Sequence, residues 1–239
     1  MHPWFLILLL IFVPPLLAEQ AKIAIILDDI GYSKKLGKIA LTLDDNIAYA
    51  ILPHTPYGKF FAKQLHQQGR EILLHLPMQT MRPSTEDKGL LKDTMNFGTF
   101  SQQLQNNFNA IPYFTGINNH RGSRLTSNKS AMIVLMDFIK KQPQSYFFID
   151  SRTHGKSVAY KMAQLFKIPS ASRDIFLDNN LADEKIQQQF NRLIRLAKRK
   201  GSAIAIGHPH RSTLRVLKKN LALLKQLNIE LVRPSQLLK

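Results

Sequence analysis

Short, uniformly apolar runs alternate with helix-like segments along the chain, and this alternation constrains its fold more than any other feature. Several runs lack the polar–apolar alternation of half-exposed strands, which is typical of parallel strands buried on both faces. The strand-like runs cover residues 23–27, 47–52, 72–74, 114–117, 146–149, 203–206 and 229–232. The helix-like segments cover residues 33–43, 56–68, 99–110, 130–141, 157–166, 183–200 and 213–227. The pattern predicts a single-domain α/β protein, a distorted (β/α) barrel of about seven strands.

Five of the apolar runs end at an acid or a histidine. They lead into Asp28-Asp29, His75, His120, Asp150 and His208. In an α/β barrel the helices cover the outer face of the sheet, and the carboxyl ends of the strands form the open rim that carries active sites. The sequence therefore predicts that these side chains gather at one rim.

The pair Asp28-Asp29, followed by Gly31, is the strongest of these endings. Adjacent side chains of a strand point in opposite directions, so the two carboxylates can divide roles. One can bind a divalent cation while the other accepts a proton from water. A helix N-cap is the alternative, since Asp is common before a helix and Ser33 follows.

His75 and His120 are candidate metal ligands. Two imidazoles and one carboxylate form the usual ligand set of a catalytic zinc, which leaves a position for water. His120 lies in a polar segment that also contains a glycine, Gly122. A structural hydrogen-bonding role is the alternative for His75, and the chain contains no His-Glu-x-x-His motif.

Asp150 and His208 each allow two interpretations. Asp150 is either an orienting carboxylate or a turn residue. His208, followed by Pro209, is either a general acid or a polar cap at the end of its strand.

The first 18 residues differ from the remainder of the chain. They contain no Asp, Glu, Lys or Arg, and their apolar stretch is shorter than the roughly 20 residues that span a bilayer. Because the small Ala18 precedes Glu19, we predict a signal peptide over residues 1–18 and one domain over residues 19–239. The mature chain would then be periplasmic or secreted, with no transmembrane segment. An uncleaved membrane anchor is the alternative.

The net charge of +17 raises the question of a nucleic-acid partner. The charge is spread over helix-like segments such as residues 191–200 and 213–219, with no recognisable binding module. We predict no nucleic-acid partner, and an anionic envelope surface suits an exported chain better. A basic, solvated surface is the alternative. The chain also lacks a P-loop and a Gly-x-Ser-x-Gly elbow, which disfavours nucleotide binding and serine hydrolase chemistry.

From Lys22 to Pro234 the chain resembles the divergent polysaccharide deacetylases, a branch of the NodB-like carbohydrate esterases. Residues 27–31 (Leu-Asp-Asp-Ile-Gly) resemble the first NodB motif, residues 70–75 the approach to the second, and residues 206–208 the last. Residues 118–123, 150–153 and 173–178 look typical of the divergent branch itself. The resemblance implies a NodB-like barrel that deacetylates a polysaccharide.

The resemblance also implies roles for particular residues. Asp28 would be the general base, Asp29 and His75 metal ligands, and His208 the general acid. The second histidine of the NodB His-x-x-x-His pair falls on Gln79, a poor zinc ligand, so we predict that His120 supplies the third ligand.

The Arg-x-Pro-Tyr motif of the family, which contributes to oxyanion stabilisation, has no match in this chain. We predict that Asn119, Arg121 and Arg124 contact the substrate and that Asp150 orients a basic partner in catalysis.

These expectations lead to three hypotheses. The first is a secreted, metal-dependent hydrolase, with zinc as the metal, that removes N-acetyl groups from an envelope polysaccharide. The second is a non-catalytic envelope protein that keeps the fold and metal but binds a glycan or a protein. The third is a metal-dependent phosphoester hydrolase, which the basic surface suits but no phosphate motif supports.

Overall fold

The computed structural model describes residues 20–82 and 87–239 of the chain. The strands are β1 (Ala21–Ile30), β2 (Ala48–Ile51), β3 (Ile72–Met78), β4 (Gly116–Arg121), β5 (Phe147–Asp150), β6 (Ser170–Ser172), β7 (Ile175–Phe176), β8 (Ser202–Gly207) and β9 (Ile229–Leu231). The helices are α1 (Lys34–Ala40), α2 (Gly58–Gln67), α3 (Phe97–Ala110), α4 (Lys129–Lys140), α5 (Ala159–Leu165), α6 (Asp183–Lys200) and α7 (Arg211–Leu221). Short 3-10 helices lie at Leu125–Ser127, Lys225–Leu227 and Pro234–Leu237.

Eight parallel strands form one curled sheet in the order β6-β5-β4-β3-β2-β1-β8-β7, and β9 pairs with the start of β1. The predicted α/β barrel is therefore confirmed. Each of the seven predicted runs corresponds to a strand, and β6 and β7 are additional.

The two ends of this order, β6 and β7, are consecutive in the chain. Only Arg173 and Asp174 separate them, and their backbone N–H groups donate to Asp150 and Ile204, on β5 and β8 respectively. The sheet has therefore curled until one short connection joins its two edges. Strands of three and two residues, one with the sequence Ser-Ala-Ser, carry too little apolar pattern to be recognised in the sequence.

Apolar layers lie on both faces of the sheet. In β1, Ile23, Ile25 and Leu27 pack outward against the helices, while Ala24 and Ile26 face the interior. Four of the ten buried residues of the interior cluster are alanines, because a tightly curled sheet leaves little space inside. Burial on both faces explains why the strands read as continuous apolar runs.

The predicted leader, residues 1–18, lies outside the described residues, so the signal peptide and the domain boundary stay predictions. Among residues 20–82 and 87–239, none of the helices combines the length and hydropathy that crossing a bilayer requires.

Candidate metal centre and active site

Asp28 and Asp29 both reach the same imidazole, although adjacent strand residues were expected to point in opposite directions. Asp28 Oδ2 lies 3.5 Å and Asp29 Oδ1 3.2 Å from His75 Nε2. The reason is local backbone geometry. Asp29 has a left-handed φ of 57°, and the pairing of β1 with β2 shifts register between Leu27 and Ile30. Such an irregularity re-aims a side chain at the end of a strand.

The N-cap alternative for this pair fails in the structure. The N-cap of α1 is Ser33, whose hydroxyl oxygen accepts a hydrogen bond from the backbone N–H of Leu36 at 3.2 Å. Both aspartates are therefore left for the rim.

Asp29, His75 and His120 form a compact triangle of possible ligand atoms. Asp29 Oδ1 lies 3.0 Å from His120 Nδ1 and 3.2 Å from His75 Nε2, and the two nitrogens are 3.1 Å apart. His75 and His120 are buried and Asp29 is half-buried. Neighbouring parallel strands, β3 and β4, supply the two histidines, which explains how residues 45 positions apart meet.

The triangle fits a divalent cation. Within the described residues, Asp29 Oδ1 is buried without an aligned hydrogen-bond donor, so its lone pairs are directed at the shared space. Tetrahedral zinc with bonds of about 2.0–2.1 Å separates its ligand atoms by about 3.3–3.4 Å, within a few tenths of an ångström of this triangle. The residues present can therefore hold the metal that the sequence predicts.

Asn118 orients the His75 imidazole and connects it to Asp28. The Asn118 side-chain amide donates to Asp28 Oδ1 at 2.8 Å, so its oxygen faces His75 Nδ1, 2.7 Å away. His75 therefore donates through Nδ1–H, so its neutral form presents the Nε2 lone pair to a metal. Such hydrogen bonds orient ligand imidazoles in metal sites. The sequence pattern alone assigns Asn118 no role.

The two aspartates differ electrostatically. Burial raises the pKa of Asp28, against the opposing effects of His75, His208 and the Asn118 hydrogen bond. Burial also acts to raise the pKa of Asp29, but His120 and His75 outweigh it and hold that pKa well below its usual range. Asp29 is therefore the carboxylate that stays ionised, and Asp28 is the one with the greater affinity for a proton.

His208 lies beside the triangle and forms an ion pair with Asp178. Its Nδ1 lies 2.9 Å from Asp178 Oδ1, and its Nε2 lies 3.9 Å from Asp29 Oδ2. Asp178 Oδ2 also accepts hydrogen bonds from the His208 backbone N–H and from the Thr213 hydroxyl. Burial acts to lower the pKa of His208, but the bond to Asp178 raises it to about 9. The imidazole is therefore protonated at neutral pH.

Asp178 was missed as a functional residue in the sequence analysis. It lies two residues after β7, within the 173–178 segment that resembles the divergent branch, but a two-residue strand gives no signal that its end lies at the rim. A second metal-capable group, formed by Asp178, His208 and His210, overlaps this ion pair.

Asp150 makes the contacts expected of a turn residue, which is the second of the two interpretations given above. Its Oδ1 accepts the backbone N–H of Arg152 at 2.7 Å, and its Oδ2 accepts the Ser157 hydroxyl at 2.8 Å. The nearby Arg173 guanidinium donates to the carbonyl oxygens of Ser151 and Arg152. Burial lowers the pKa of Arg173, and Asp150 and then Asp28 oppose this effect across the rim. A catalytic role for Asp150 stays a prediction.

The three predicted substrate contacts occupy different environments. Asn119 is fully buried, and its amide bridges the backbone N–H of Ser151 and the carbonyl of Arg121, so it holds β4 against the loop after β5. Asp87 Oδ2 lies 3.3 Å from both Arg121 Nη1 and His120 Nε2. Arg121 is therefore beside the candidate ligand.

Arg124, after β4, and Gln79, after β3, both contact Asp93 in the loop that follows β3. Arg124 Nε donates to Asp93 Oδ2 at 2.8 Å, with half of the Arg124 side chain exposed. Gln79 Oε1 accepts the backbone N–H of Asp93 at 2.9 Å, so its amide braces the loop. His120 joins Asp29 and His75 in the metal-capable group, whereas the Gln79 amide oxygen is bonded to the backbone of Asp93.

These contacts make Asn118 the residue whose loss should disturb both halves of the site. We expect Asn118→Ala to weaken zinc binding by about 10–100-fold, the usual cost of removing a hydrogen-bond partner of a metal ligand. Competition with a chromogenic chelator would measure this. Asn106→Ala, an exposed amide on α3, is the matched control and should bind zinc normally. Unchanged affinity in Asn118→Ala would contradict this role.

A curled parallel sheet with this rim defines a barrel of the carbohydrate-deacetylase fold. The structure of a family 4 carbohydrate esterase from Streptomyces lividans, in complex with acetate, has a TM-score of 0.52 and 11% identity, over 89% of this chain and 92% of that one. The structure of an uncharacterized protein, ATU2773 from Agrobacterium tumefaciens C58, has a TM-score of 0.87 and 22% identity, over 94% and 92% of the two chains.

The chain belongs to the divergent polysaccharide deacetylase family, whose sequence profile matches residues 25–238. The uncharacterized protein YibQ of Escherichia coli strain K12 is 38% identical over 224 residues, which are 94% of this chain and 69% of that protein. The resemblance predicted from the sequence is thus confirmed.

Proposed function

We propose that this protein is a divalent-metal-dependent hydrolase, with zinc as the metal, that removes acetyl groups from an N-acetylated polysaccharide of the cell envelope. The observation that carries the proposal is the Asp29–His75–His120 triangle, with a carboxylate, Asp28, and a protonated imidazole, His208, beside it. A metal site that activates water, with a base and an acid beside it, is suited to amide hydrolysis.

Asp29, His75 and His120 would hold the metal. A divalent ion bound there supplies Lewis acidity, which polarises a carbonyl group and makes water easier to deprotonate. Asp28 accepts the proton of the attacking water, because burial raises the pKa of its carboxyl group. Asn118 keeps the Asp28 carboxylate in place through its 2.8 Å hydrogen bond.

His208 completes the reaction. Water attacks the acetyl carbon, the carbon–nitrogen bond breaks, and the nitrogen leaves as an amine that needs a proton. With its pKa raised to about 9, His208 holds that proton at Nε2, while Nδ1 is bonded to Asp178. Acetate and a free amino sugar are the products.

Different observations support the proposed substrate and the proposed compartment. Family membership supports a polysaccharide, since the chain matches the divergent polysaccharide deacetylases. The uncharged apolar leader supports export to the periplasm or beyond, with the mature chain beginning near Glu19.

A binding protein that keeps the metal is the second candidate, because the chain lacks an Arg-x-Pro-Tyr motif and has Gln79 in place of a ligand histidine. The experiment that separates the two is mass spectrometry of N-acetylated glycan oligomers after incubation with the zinc-loaded protein. The hydrolase removes acetyl groups from them. The binding protein retains the oligomers unchanged.

A further inference from the structure

The positive charge of the molecule is concentrated on three helices. Helices α1, α6 and α7 carry thirteen Lys and Arg but only two acids, so they hold eleven of the chain's seventeen net charges. The longer set formed by α2, α3, α4 and α5 carries five Lys and one Asp. Charge is therefore segregated on the molecule and is not a uniform solvated surface.

These three helices form one continuous side of the barrel, which we call the basic face. Strands β7, β8, β1 and β2 are neighbours, and α7 packs against both α6 and α1. All thirteen cations are exposed. Among the described residues, two of them form ion pairs with acids, Lys200 with Asp174 and Arg215 with Asp183.

Apolar surface lies within the basic face. A groove of about 500 Å³ between α1 and α7 is lined by Ile39 and Leu214, together with cationic side chains of α7. Ile39 is 41% exposed, and Leu223 and Leu227, just beyond α7, are each 40% exposed. Cations around exposed aliphatic side chains match the composition of surfaces that bind a bilayer interface.

The basic face also begins at the active-site rim. Helix α1 starts five residues after Asp29, and α7 starts three residues after His208. A surface bound along this face therefore comes close to the open end of the barrel.

We propose that the basic face docks the protein onto the surface of an anionic phospholipid bilayer. Lipid phosphates meet the exposed Lys and Arg side chains, and the aliphatic residues enter the boundary between headgroups and acyl chains. A soluble polyanion, such as a nucleic acid or an acidic glycan, would use the cations but gain nothing from Ile39 or Leu223. The apolar groove is what favours the membrane. This docking does not depend on the proposed hydrolysis.

Co-sedimentation of the full chain with vesicles tests the proposal. We expect binding to vesicles that contain phosphatidylglycerol, weaker binding to pure phosphatidylcholine, and release as salt is raised. Residues 1–18 carry no Lys or Arg, so that segment should add little to the difference between the two lipids. Equal binding to the two kinds of vesicle would overturn the proposal.

Two charge-reversed variants locate the surface. The triple substitution Lys38→Glu, Lys218→Glu and Lys219→Glu on the basic face should weaken binding to the anionic vesicles by about tenfold or more. The control, Lys129→Glu, Lys140→Glu and Lys161→Glu, makes the same change in net charge on α4 and α5, where the three side chains are exposed. This control variant should lose far less affinity for the anionic vesicles. Equal losses in the two variants would contradict a defined docking face.

Substitutions in the apolar part of the basic face distinguish a bilayer partner from a soluble polyanion. Ile39→Ser with Leu223→Ser should reduce vesicle binding and leave binding to heparin unchanged. If this pair of substitutions has no effect on vesicle binding, the aliphatic side chains do not enter the bilayer, and the membrane assignment, which depends on them, is overturned. Circular dichroism of each variant checks that the barrel is intact.

Discussion

Replacing Asp28 by Asn is expected to leave the protein folded and able to bind zinc but to reduce acetate release by about 10²–10⁴-fold, the usual effect of losing a positioned general base. Asparagine has the size of aspartate and keeps an oxygen for the hydrogen bond from Asn118. It cannot, however, take a proton from water. The rate would be measured at saturating glycan, with zinc content determined on the same sample.

His208→Ala should lose a comparable factor, because it removes the imidazole that holds a proton beside the metal-capable triangle. The double variant should be far less impaired than the product of the two losses if both residues act in one transition state. Asp44→Asn, from the other Asp-Asp pair of the chain, is the matched control, since it changes an exposed loop. Full activity in Asp28→Asn would refute its assignment as the base.

Removing either histidine of the triangle should abolish stoichiometric binding of the metal. A zinc site that falls from three protein ligands to two loses most of its affinity, so His75→Ala and His120→Ala should retain far less than one zinc per chain after dialysis. Elemental analysis measures this directly. Both side chains contact polar residues of the site, so each substitution should leave the apolar layers of the barrel intact, which circular dichroism checks.

His66→Ala is the control for the loss of an imidazole as such. His66 is exposed on α2 and stacks on Tyr113, away from the rim residues. This variant should keep one zinc per chain. Full zinc content in His120→Ala would show that another residue supplies the third ligand.

The sequence predicts which residues meet at the rim because the carboxyl ends of parallel strands lie together. His75 and His120 are 45 positions apart, yet both follow buried runs, and β3 and β4 prove to be neighbours. The same reasoning places His208 at the end of β8. Apolar runs were sufficient for this, since each strand of the barrel is covered on both faces.

The finer geometry could not be predicted because it depends on backbone irregularities and strand register. Asp29 turns toward His75 through a left-handed φ that is unusual for a non-glycine residue. Asn118 meets His75 because the two residues are directly opposite in the pairing of β3 with β4. Neither feature can be recognised from composition or from hydrophobic periodicity.

Acetate release as a function of bound zinc is the measurement that tests the account most directly. The protein stripped of metal should be inactive toward N-acetylated glycan oligomers, and its rate should rise in proportion to added zinc up to one equivalent per chain. The proton-transfer roles of Asp28 and His208 and the ligand roles of Asp29, His75 and His120 all require that result. One equivalent of zinc bound at the rim without acetate release from any N-acetylated glycan would contradict the hydrolase and leave the binding protein.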